Sequence, residues 1–459
     1  MMDIFLTNSL TNKKEQFIPK NKEKIGMYVC GPTVYDDPHI GNARPLVVFD
    51  ILYKLLKNNF PNVTYVRNIT DIDDKIIKSS QEQKISTKEL TEKVTSSFIK
   101  DCEFLNCENP THQPKATEHI DLMIEMITEL IEKGFAYENQ KHVYFEVNKF
   151  ADYGKLSNKN LDELIAGSRI EISENKKNSE DFVLWKPSKN DEPYWDSPWG
   201  KGRPGWHLEC SAMSKKFLGN EFDIHGGGID LIFPHHENEI AQSRCAHGTA
   251  QMAAFWVHNG YVTVEGEKMS KSLGNFTTVE DALQRHRGEV IRFSLLSAHY
   301  RAPFDFSDAA LQQARTVLDK FYRAVSVADR ADIITDLTLL DTEFITALAD
   351  DMNTPLAISC LHRLAVEANK GQLASARQLL SCASMLGLLT DENWFAGEAD
   401  NSKATFEIER AIEARNQARA SRDFDEADRI RDQLAEQGIK LLDGPDGTRW
   451  RSEEHTSEL

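Results

Sequence analysis

A chain of 459 residues is too long for one simple core, so about two to four domains are expected. Its 40% hydrophobic and 27% charged residues are ordinary for a soluble globular protein. The formal net charge of −18 argues only weakly against a nucleic-acid partner, because a local basic surface can bind a phosphate backbone while the rest of the protein repels it.

Targeting segments and disulfides are not expected in this chain. Residues 1–19 contain no apolar run of signal-peptide length, and no later segment reaches the roughly 18 uninterrupted apolar residues of a membrane span. The seven cysteines have irregular spacings that do not resemble a disulfide framework, so reduced thiols are expected. We therefore expect a cytoplasmic protein that does not contact membranes.

The first part of the chain alternates strand and helix patterns. Residues 25–30 form a short apolar run rich in strand formers, a Gly-Pro break follows, and residues 43–57 have the apolar spacing of a helix. Residues 63–69 predict a second strand, and a helical pattern follows it. This alternation favours an α/β fold with a parallel sheet, whose ligands bind at the carboxyl ends of the strands, where Cys30 and Thr70 fall.

The middle of the chain is less regular. A helix is predicted at about residues 116–134, and the polar, irregular residues 135–200 predict an insertion. A strand at 222–224 is followed by a His-Gly-Gly-Gly sequence, and further strands are predicted at 255–257 and 261–264.

The C-terminal third is predicted to be helical. Residues 308–388 carry a helical pattern almost throughout, and residues 407–438 form a second helical region with Gly438 at its end. A short end rich in Gly and Asp follows.

A candidate phosphate-binding motif, His39-Ile40-Gly41-Asn42, lies between the first strand and its helix. Backbone N–H groups in the first turn of a helix are unpaired and the helix dipole is positive there, so phosphate binds readily. Gly41 would let a nucleotide approach the backbone, and His39 and Asn42 would donate hydrogen bonds to charge developing on the phosphates. The alternative for so short a motif is a chance helix turn.

A second motif, Lys268-Met269-Ser270-Lys271-Ser272, follows a predicted apolar strand. The ammonium groups of Lys268 and Lys271 can converge on a triphosphate, and Gly266 and Gly274 would let the segment move as a loop. A solvated basic turn is the alternative, and it loses ground because both motifs occur in one chain.

Several side chains could hold a soft metal ion. Thiolate and imidazole ligands suit Zn²⁺, and a soft metal beside a triphosphate site suggests a substrate that carries a thiol. The ligand-capable residues are Cys30, Cys210, His225, His235, His236, Glu237, Glu239 and Cys245. His235 and Glu239 would share one helix face, but spacing alone leaves His235 and His236 nearly equal.

The two motifs together resemble those of the class I aminoacyl-tRNA synthetases, whose signatures are HIGH and KMSKS. Here Asn42 replaces the second histidine of the first signature; it keeps a hydrogen-bond donor but cannot be protonated. Within that class the chain is similar to the cysteinyl-tRNA synthetases over nearly all of residues 1–450. The stretches that carry this likeness are 30–35, 181–186, 197–200, 202–210 and 233–239.

The resemblance implies one zinc ion per chain, bound by Cys30, Cys210, His235 and Glu239. Direct binding of the substrate thiolate to zinc would reject serine and alanine by roughly 10⁴ or more. Thr70 and Trp206 would shape the cysteine pocket, with core packing as the alternative for Trp206.

The resemblance also implies an adenylating mechanism in which Mg²⁺ accompanies ATP. The cysteine carboxylate would attack the α-phosphate, and the terminal adenosine of the tRNA would then attack the adenylate. The implied catalytic residues are His39, Asn42, Lys268 and Lys271. The implied ATP-binding residues are these four with Gly41, His225, Gly226, Gly227 and Asp230.

The implied fold is α/β, with a parallel, Rossmann-like nucleotide-binding sheet that carries an insertion, followed by an α-helical bundle and a small mixed C-terminal domain. The predicted boundaries are a catalytic domain at 1–307 with its insertion at about 116–200, the bundle at 308–395 and an anticodon-region domain at 400–450. Residues 451–459 match the translation of a widely used sequencing adapter, and we predict that they are not native.

Arginines interleave with acidic residues in the C-terminal helical region. They are Arg410, Arg415, Arg419, Arg422, Arg429 and Arg431. The sequence alone favours a solvated, salt-bridged face, whereas the resemblance implies a grip on the anticodon end of cysteine tRNA. The expected partners are ATP, L-cysteine and cysteine tRNA, and the expected state is a monomer.

Two competing functions stay open. The cysteine ligase of mycothiol synthesis shares such a site but lacks a developed anticodon-binding region, so residues 400–450 favour the synthetase. A non-catalytic RNA-binding paralogue would be expected to lose signature lysines or metal ligands, and all of them are present here.

Overall fold

The computed structural model of the chain describes residues 2–158, 175–264, 266–268, 276–326 and 339–395, and in its last part residues 411–412, 414–416, 418–419, 424–436, 439–444 and 447–452. The chain divides into two compact units, Met1–Thr390 and Asp391–Leu459. Some positions used in the predictions lie outside the described residues: Lys271, Gly274, Arg410, Arg422, Gly438 and 453–459.

The described strands of the first unit are, in chain order, β1 (Phe5–Asn8), β2 (Lys13–Gln16), β3 (Ile25–Val29), β4 (Val63–Arg67), β5 (Ala136–Asn139), β6 (His142–Phe145), β7 (Phe182–Pro187), β8 (Gly202–Pro204), β9 (Phe222–Gly228), β10 (Ala253–Asn259), β11 (Val262–Val264), β12 (Glu267–Lys268) and β13 (Phe304–Phe306). Its described α-helices are α1 (Ile40–Asn59), α2 (Asp74–Gln83), α3 (Thr87–Phe104), α4 (Ile120–Glu132), α5 (Trp206–Leu218), α6 (Glu237–His247), α7 (Val279–Arg285), α8 (Gly288–Leu296), α9 (Asp308–Ala324), α10 (Thr342–Ala349), α11 (Thr354–Asn369) and α12 (Leu373–Met385).

A parallel sheet of four strands, in the order β10-β9-β3-β4, forms the centre of the first unit. All five residues of β3 are buried, as expected for a strand that is covered on both faces. Helix α1 follows β3 and buries apolar residues such as Phe49 and Leu52 against the sheet. The α/β prediction is confirmed, and the carboxyl ends of β3 and β4 meet at one edge.

Strand β9 is longer than the sequence indicated, because it continues through the glycines to Gly228. A Cβ atom at Gly226 would lie 2.3 Å from the ring of Phe49 on α1. The strand can therefore pass this close beneath the helix only without a side chain at that position. Close packing, rather than a loop, accounts for the glycines at this point of the chain.

The prediction that residues 135–200 are irregular is wrong for the described part of that stretch. Strands β5 to β8 form an antiparallel sheet in chain order. Each strand has only three to six residues, which is too short for a clear alternation of apolar and polar positions. A register shift between Val143 and Tyr144 interrupts the pattern further.

The described residues of the first unit that follow β13 are helical, as predicted, and form α9 to α12. Their packed faces bury leucines such as Leu318, Leu361 and Leu379. No helix among the described residues of the chain is both long and apolar enough to cross a membrane.

The second unit contains helix and strand. Helical residues are described between 411 and 419, and α13 (Phe424–Glu436) buries Ile430 and Leu434. Two antiparallel strands follow, β14 (Ile439–Gly444) and β15 (Gly447–Ser452). This composition agrees with the small mixed C-terminal domain expected from the sequence.

Candidate metal and nucleotide site

Four ligand-capable side chains meet at the carboxyl edge of the parallel sheet. Cys30 follows β3 directly and Cys210 lies on α5. His235 lies in the short turn Ile232–His236 that precedes α6, and Glu239 lies in the first turn of α6. One ligand atom of each residue lies within 4.8 Å of the others. The structure thus brings together the four residues, hereafter the metal cluster, that the resemblance implied as zinc ligands.

The contacts inside the metal cluster are short. Cys30 Sγ lies 3.6 Å from Cys210 Sγ and 3.4 Å from Glu239 Oε1. His235 Nε2 lies 3.0 Å from Glu239 Oε1. Three of the four side chains are no more than 1% exposed, Cys30 being the half-buried one. Sulfur, nitrogen and oxygen donors that converge in the interior of a protein fit a bound dication such as Zn²⁺.

The charge states within the metal cluster also favour a cation. Burial raises the pKa of the Cys210 thiol, but hydrogen bonds with Cys30 and His235 lower it to about 6 overall. Burial likewise opposes ionisation of Glu239, yet His225 and His235 bring its pKa down to about 2. Burial and the adjacent Cys210 raise the pKa of Cys30. A thiolate and a carboxylate therefore face a thiol whose proton a metal ion would displace.

A second set of side chains overlaps with the metal cluster. Cys30, His225, His236 and Glu239 also place their ligand atoms within 4.8 Å of one another. His236 Nε2 lies 3.3 Å from Cys30 Sγ, and His225 Nε2 lies 2.9 Å from Glu239 Oε2. This set offers one thiol where the metal cluster offers two, so donor chemistry, rather than distance, favours His235 over His236 for Zn²⁺.

The outer nitrogens of both histidines have partners that the sequence analysis missed. His235 Nδ1 lies 3.0 Å from His207 Nδ1, and His236 Nδ1 lies 2.8 Å from His258 Nε2. Such outer contacts orient the rings of metal-binding histidines. The sequence gives no signal for them, because His207 and His258 lie on different elements and approach only in the folded chain.

Two other ligand-capable residues are used elsewhere or lie outside both sets. Glu237 accepts hydrogen bonds of 2.9 Å from the backbone N–H groups of Gly154 and Ser157. Cys245 is a buried residue of α6 and belongs to neither set.

The predicted cysteine-pocket residues adjoin the metal cluster. The half-buried Trp206 stacks on His235 with ring centroids 4.1 Å apart. Thr70 Oγ1 donates a 2.8 Å hydrogen bond to Glu209 Oε2 and accepts one of 3.1 Å from Asn68 Nδ2. Asn68 and Glu209, both buried, are neighbours of the pocket that the sequence analysis did not single out.

The first signature motif lies at the N-terminus of α1, as predicted. His39 is the N-cap residue, and its backbone N–H donates a 3.1 Å hydrogen bond to Asn42 Oδ1. Gly41 lies in the first turn of the helix. The asparagine that departs from the family signature therefore caps the helix through its side chain.

The second signature motif begins at the end of β12, where Lys268 pairs with Thr263 of β11. Residues 269–275, which include Lys271, lie outside the described residues. Beyond them, Thr277 O accepts a 3.0 Å hydrogen bond from the backbone N–H of Ile40. The chain that follows the second motif is thus attached directly to the first.

The residues implied for adenosine lie on and after β9. His225 is fully buried, with its ring 4.5 Å from that of Trp256 and its Nε2 on Glu239. Gly226 and Gly227 continue the strand, and the exposed Asp230 lies in the 3₁₀ turn that follows. His225 thus adjoins the metal cluster, and its role toward adenosine stays a prediction.

Three family models match successive parts of the chain. Residues 16–316 match the catalytic domain of tRNA synthetases class I (C), and residues 343–391 match the DALR domain. Residues 404–451 match the cysteinyl-tRNA ligase anticodon binding domain. The chain belongs to the cysteine–tRNA ligase family. The family resemblance read from the sequence is therefore confirmed.

Relatives within this family align with nearly the whole chain. The cysteine–tRNA ligase of Pelagibacter ubique is 54% identical, with 98% of this chain and 99% of the relative covered. That of Paramagnetospirillum magneticum is also 54% identical, with 98% and 100% covered. That of Wolbachia pipientis wMel is 48% identical, with 96% and 99% covered.

Solved structures with low identity share the fold. Methionyl-tRNA synthetase of Mycobacterium tuberculosis, in complex with methionyl-adenylate, is 14% identical with a TM-score of 0.58, covering 79% of this chain and 89% of its own. Leucyl-tRNA synthetase of Agrobacterium radiobacter, in a ternary complex, is 10% identical with a TM-score of 0.55, covering 81% and 83%. These similarities confirm the α/β class I fold predicted from the sequence.

Proposed function

We propose that this chain activates L-cysteine with ATP and transfers it to cysteine tRNA, and that the metal cluster selects the amino acid. The observation that carries the proposal is the convergence of Cys30, Cys210, His235 and Glu239 at the edge of a nucleotide-binding sheet. These four residues would hold one Zn²⁺, which supplies a Lewis-acid partner for a thiolate. Serine offers only a hard hydroxyl and alanine offers no ligand, so both are rejected without editing.

The amino-acid pocket is expected to adjoin the metal cluster. Trp206 packs on His235 and would cover the substrate, and the Thr70 hydroxyl is oriented by Asn68 and Glu209. This arrangement positions the cysteine with its sulfur toward the cluster and its carboxylate free to react.

The nucleotide is expected to bind at the first turn of α1, with Mg²⁺ accompanying ATP. His39 and Asn42 would orient the phosphates, and the backbone at Gly41 allows a close approach. Lys268 and Lys271 would stabilise the negative charge of the departing pyrophosphate. The adenosine would lie along β9, near Gly226, Gly227 and Asp230, with His225 at its inner end.

We assign the second unit to the anticodon end of the tRNA because residues 404–451 match an anticodon-binding domain. The arginines themselves do not carry this assignment. Arg429 forms hydrogen bonds of 2.6 and 2.7 Å with Glu426, and Arg431 lies 2.9 Å from Asp428, all within α13. These exposed pairs agree with the salt-bridged face favoured by the sequence. Arg415, which the same prediction placed on a solvated face, is buried, so the prediction is wrong for that residue. We further propose a monomer in the cytoplasm, where the seven free cysteines stay reduced.

ATP–pyrophosphate exchange, measured for each amino acid in turn with zinc analysis of the same sample, tests the proposal. We expect exchange with cysteine alone and one zinc per chain. Exchange driven by another amino acid, or cysteine-dependent exchange that survives complete removal of the metal, would overturn it. Transfer of labelled cysteine to tRNA, rather than to glucosaminyl-inositol, distinguishes the synthetase from the ligase of mycothiol synthesis.

A further inference from the structure

Arg44 is an unusual cation in the structure. It lies just beyond the first signature motif on α1, and its side chain is 0% exposed. Burial lowers the pKa of Arg44 to about 10, because no carboxylate of the described residues offsets the loss of water. A buried cation without a counter-ion is costly, so its hydrogen bonds and its contact with the ring of Phe304 must offset the lost water.

The guanidinium group of Arg44 holds two backbone carbonyls. Its Nη1 donates a 2.8 Å hydrogen bond to Tyr261 O, and its Nη2 donates one of 3.1 Å to His299 O. Tyr261 O also accepts a 3.1 Å hydrogen bond from the backbone N–H of Phe304. The planar fork therefore attaches α1 to the start of β11 and to the turn that precedes β13.

These two points support the small sheet that leads into the second signature motif. Strand β11 pairs with β12 on one side, through Thr263 and Lys268, and with β13 on the other. Asp305 of β13 accepts hydrogen bonds from Thr263 Oγ1, at 2.8 Å, and from the backbone N–H of Gly266, at 2.7 Å. The position of β12 relative to α1 thus depends on the two carbonyls that Arg44 holds.

The chain beyond the second motif is attached to α1 differently. Thr277 O accepts from the Ile40 N–H, and Pro38 O accepts a 2.8 Å hydrogen bond from the Val279 N–H. Both contacts involve only backbone atoms. The ring of His39 also packs on that of Phe276, with centroids 5.3 Å apart, but His39 is itself implied in catalysis. The hydrogen bonds of Arg44 can be changed by substitution without altering an implied catalytic group.

We propose that Arg44 is a positioning residue for adenylate formation, because it fixes the strand that carries Lys268 to the helix that carries His39 and Asn42. The proposal rests on the function proposed above. Catalysis by positioned charges is sensitive to displacement, and a misplacement of about 1 Å costs roughly 10²-fold in rate. Arg44 itself touches neither substrate; it acts through the backbone that it holds.

The test is Arg44→Lys. Lysine keeps the positive charge, but a single ammonium lacks the fork that holds two carbonyls at once. We expect kcat for cysteine-dependent ATP–pyrophosphate exchange to fall by roughly 10- to 100-fold. The KM for cysteine should stay within about two-fold, since the loss is confined to the transition state. Zinc content and the single-turnover transfer of cysteine from preformed adenylate to tRNA should not change.

Arg292→Lys is the matched control. Arg292 of α8 is also 0% exposed and donates to backbone carbonyls, at 2.8 Å to Leu105 and 3.0 Å to Asn106. It also donates to Leu386 O and pairs with Asp50 of α1. Among the described residues none of its hydrogen bonds reaches the sheet of β11, β12 and β13. We expect a lower midpoint of thermal unfolding in Arg292→Lys but an unchanged exchange rate for the folded enzyme.

The outcomes separate this inference from the proposed function. Suppose that the wild type is active. If folded Arg44→Lys then keeps the wild-type kcat, or if Arg292→Lys loses as much kcat as Arg44→Lys does, the role of Arg44 is overturned while the proposed function stands. A wild type without cysteine-dependent exchange overturns the proposed function. If Arg44→Lys does not fold, Gly260→Ala displaces the same turn, because its Cβ would lie 2.7 Å from the carbonyl oxygens of Arg301 and Ala302; an unchanged kcat there also overturns the inference.

Discussion

The metal cluster and the first turn of α1 both follow β3, yet they are built by opposite means. The metal cluster consists of side-chain donors from four different elements, gathered in the protein interior. The helix turn offers the backbone at Gly41 and two polar side chains, His39 and Asn42, because the N–H groups of Ile40 and Asn42 already donate to backbone carbonyls. Side-chain donors can distinguish sulfur from oxygen, whereas backbone donors position a phosphate without distinguishing its source. Selection of the amino acid and activation of ATP should therefore be separable by mutation.

The largest effect is expected for Cys210→Ser. Loss of a thiolate should remove the zinc and lower kcat/KM for cysteine in ATP–pyrophosphate exchange by about 10³-fold or more. Metal analysis and exchange kinetics on one sample measure both. Cys245→Ser on the neighbouring helix changes a buried thiol outside the cluster and should keep both zinc and activity. Full zinc content in Cys210→Ser would remove this residue from the site.

A comparison of His235→Gln with His236→Gln sharpens the assignment of the metal ligands. We expect His235→Gln to lose the zinc, whereas His236→Gln should keep it with an affinity lowered by roughly 10- to 100-fold, as for an outer contact. Competition with a chelator measures both affinities. The opposite order would assign the ion to the overlapping set that includes His225.

An intermediate effect is expected on the phosphate side. Asn42→Ala removes the acceptor that caps His39, so kcat for exchange should fall by roughly 10- to 100-fold and folding stability by about 1 kcal/mol. Zinc content and the KM for cysteine should not change. Asn42→His restores the family signature and should keep kcat within about three-fold of wild type. Loss of zinc in Asn42→Ala would show that the two regions are not separable.

The smallest effect concerns Asp101 of α3, a buried carboxyl near the phosphate side. Burial, followed by the charges of Glu280 and Asp37, raises the pKa of Asp101 to about 7. A carboxyl whose pKa is higher in the folded than in the unfolded chain stabilises the fold fully below its unfolded pKa of about 4. This contribution is lost as the pH rises through 7, where the folded protein must ionise a buried group.

The free energy of unfolding of Asp101→Asn is to be compared with that of wild type at pH 8 and at pH 4. The difference in favour of Asp101→Asn should be larger at pH 8 by about 1 kcal/mol, after allowance for solvent screening. Urea unfolding at the two pH values measures the difference. Asp121→Asn, which makes the same substitution at an exposed residue of α4, is measured beside it as the control. A stability difference for Asp101→Asn that is equal at both pH values would contradict the expectation.

The parts of the fold that could be predicted are those with local signals. The apolar run of β3 and the periodic spacing of α1 lie within single elements, so the sequence indicates them directly. The sheet of β5 to β8 was missed because strands of a few residues are too short to show a period. The length of β9 was missed because its glycines are explained by a helix that crosses it, which no local pattern reveals.

The site was predictable to a different degree. The sequence supplied ligand-capable residues but could not choose among them, and only the family resemblance selected Cys30, Cys210, His235 and Glu239. Spacing relates only His235 to Glu239, four residues apart. The convergence of this pair with Cys30 and Cys210, like the contacts of His207 and His258, joins separate elements of the chain, so spacing carries no information about it. Arg44 gave no sequence signal for the same reason, because its partners are backbone carbonyls more than two hundred residues away.

The bare backbone at Gly226 has a consequence for any redesign of this enzyme. A Cβ atom at this position would clash with the ring of Phe49 and push α1 away from β9. The helix would tilt and take His39 and Asn42 with it, while Cys30, anchored at the end of β3, would stay behind. The distance between the proposed positions of the substrate sulfur and the α-phosphate would then change, although none of the side chains proposed to bind either substrate had been replaced. The absence of a side chain at Gly226 thus sets the distance between the helix and the sheet, and with it the distance between the two proposed binding regions.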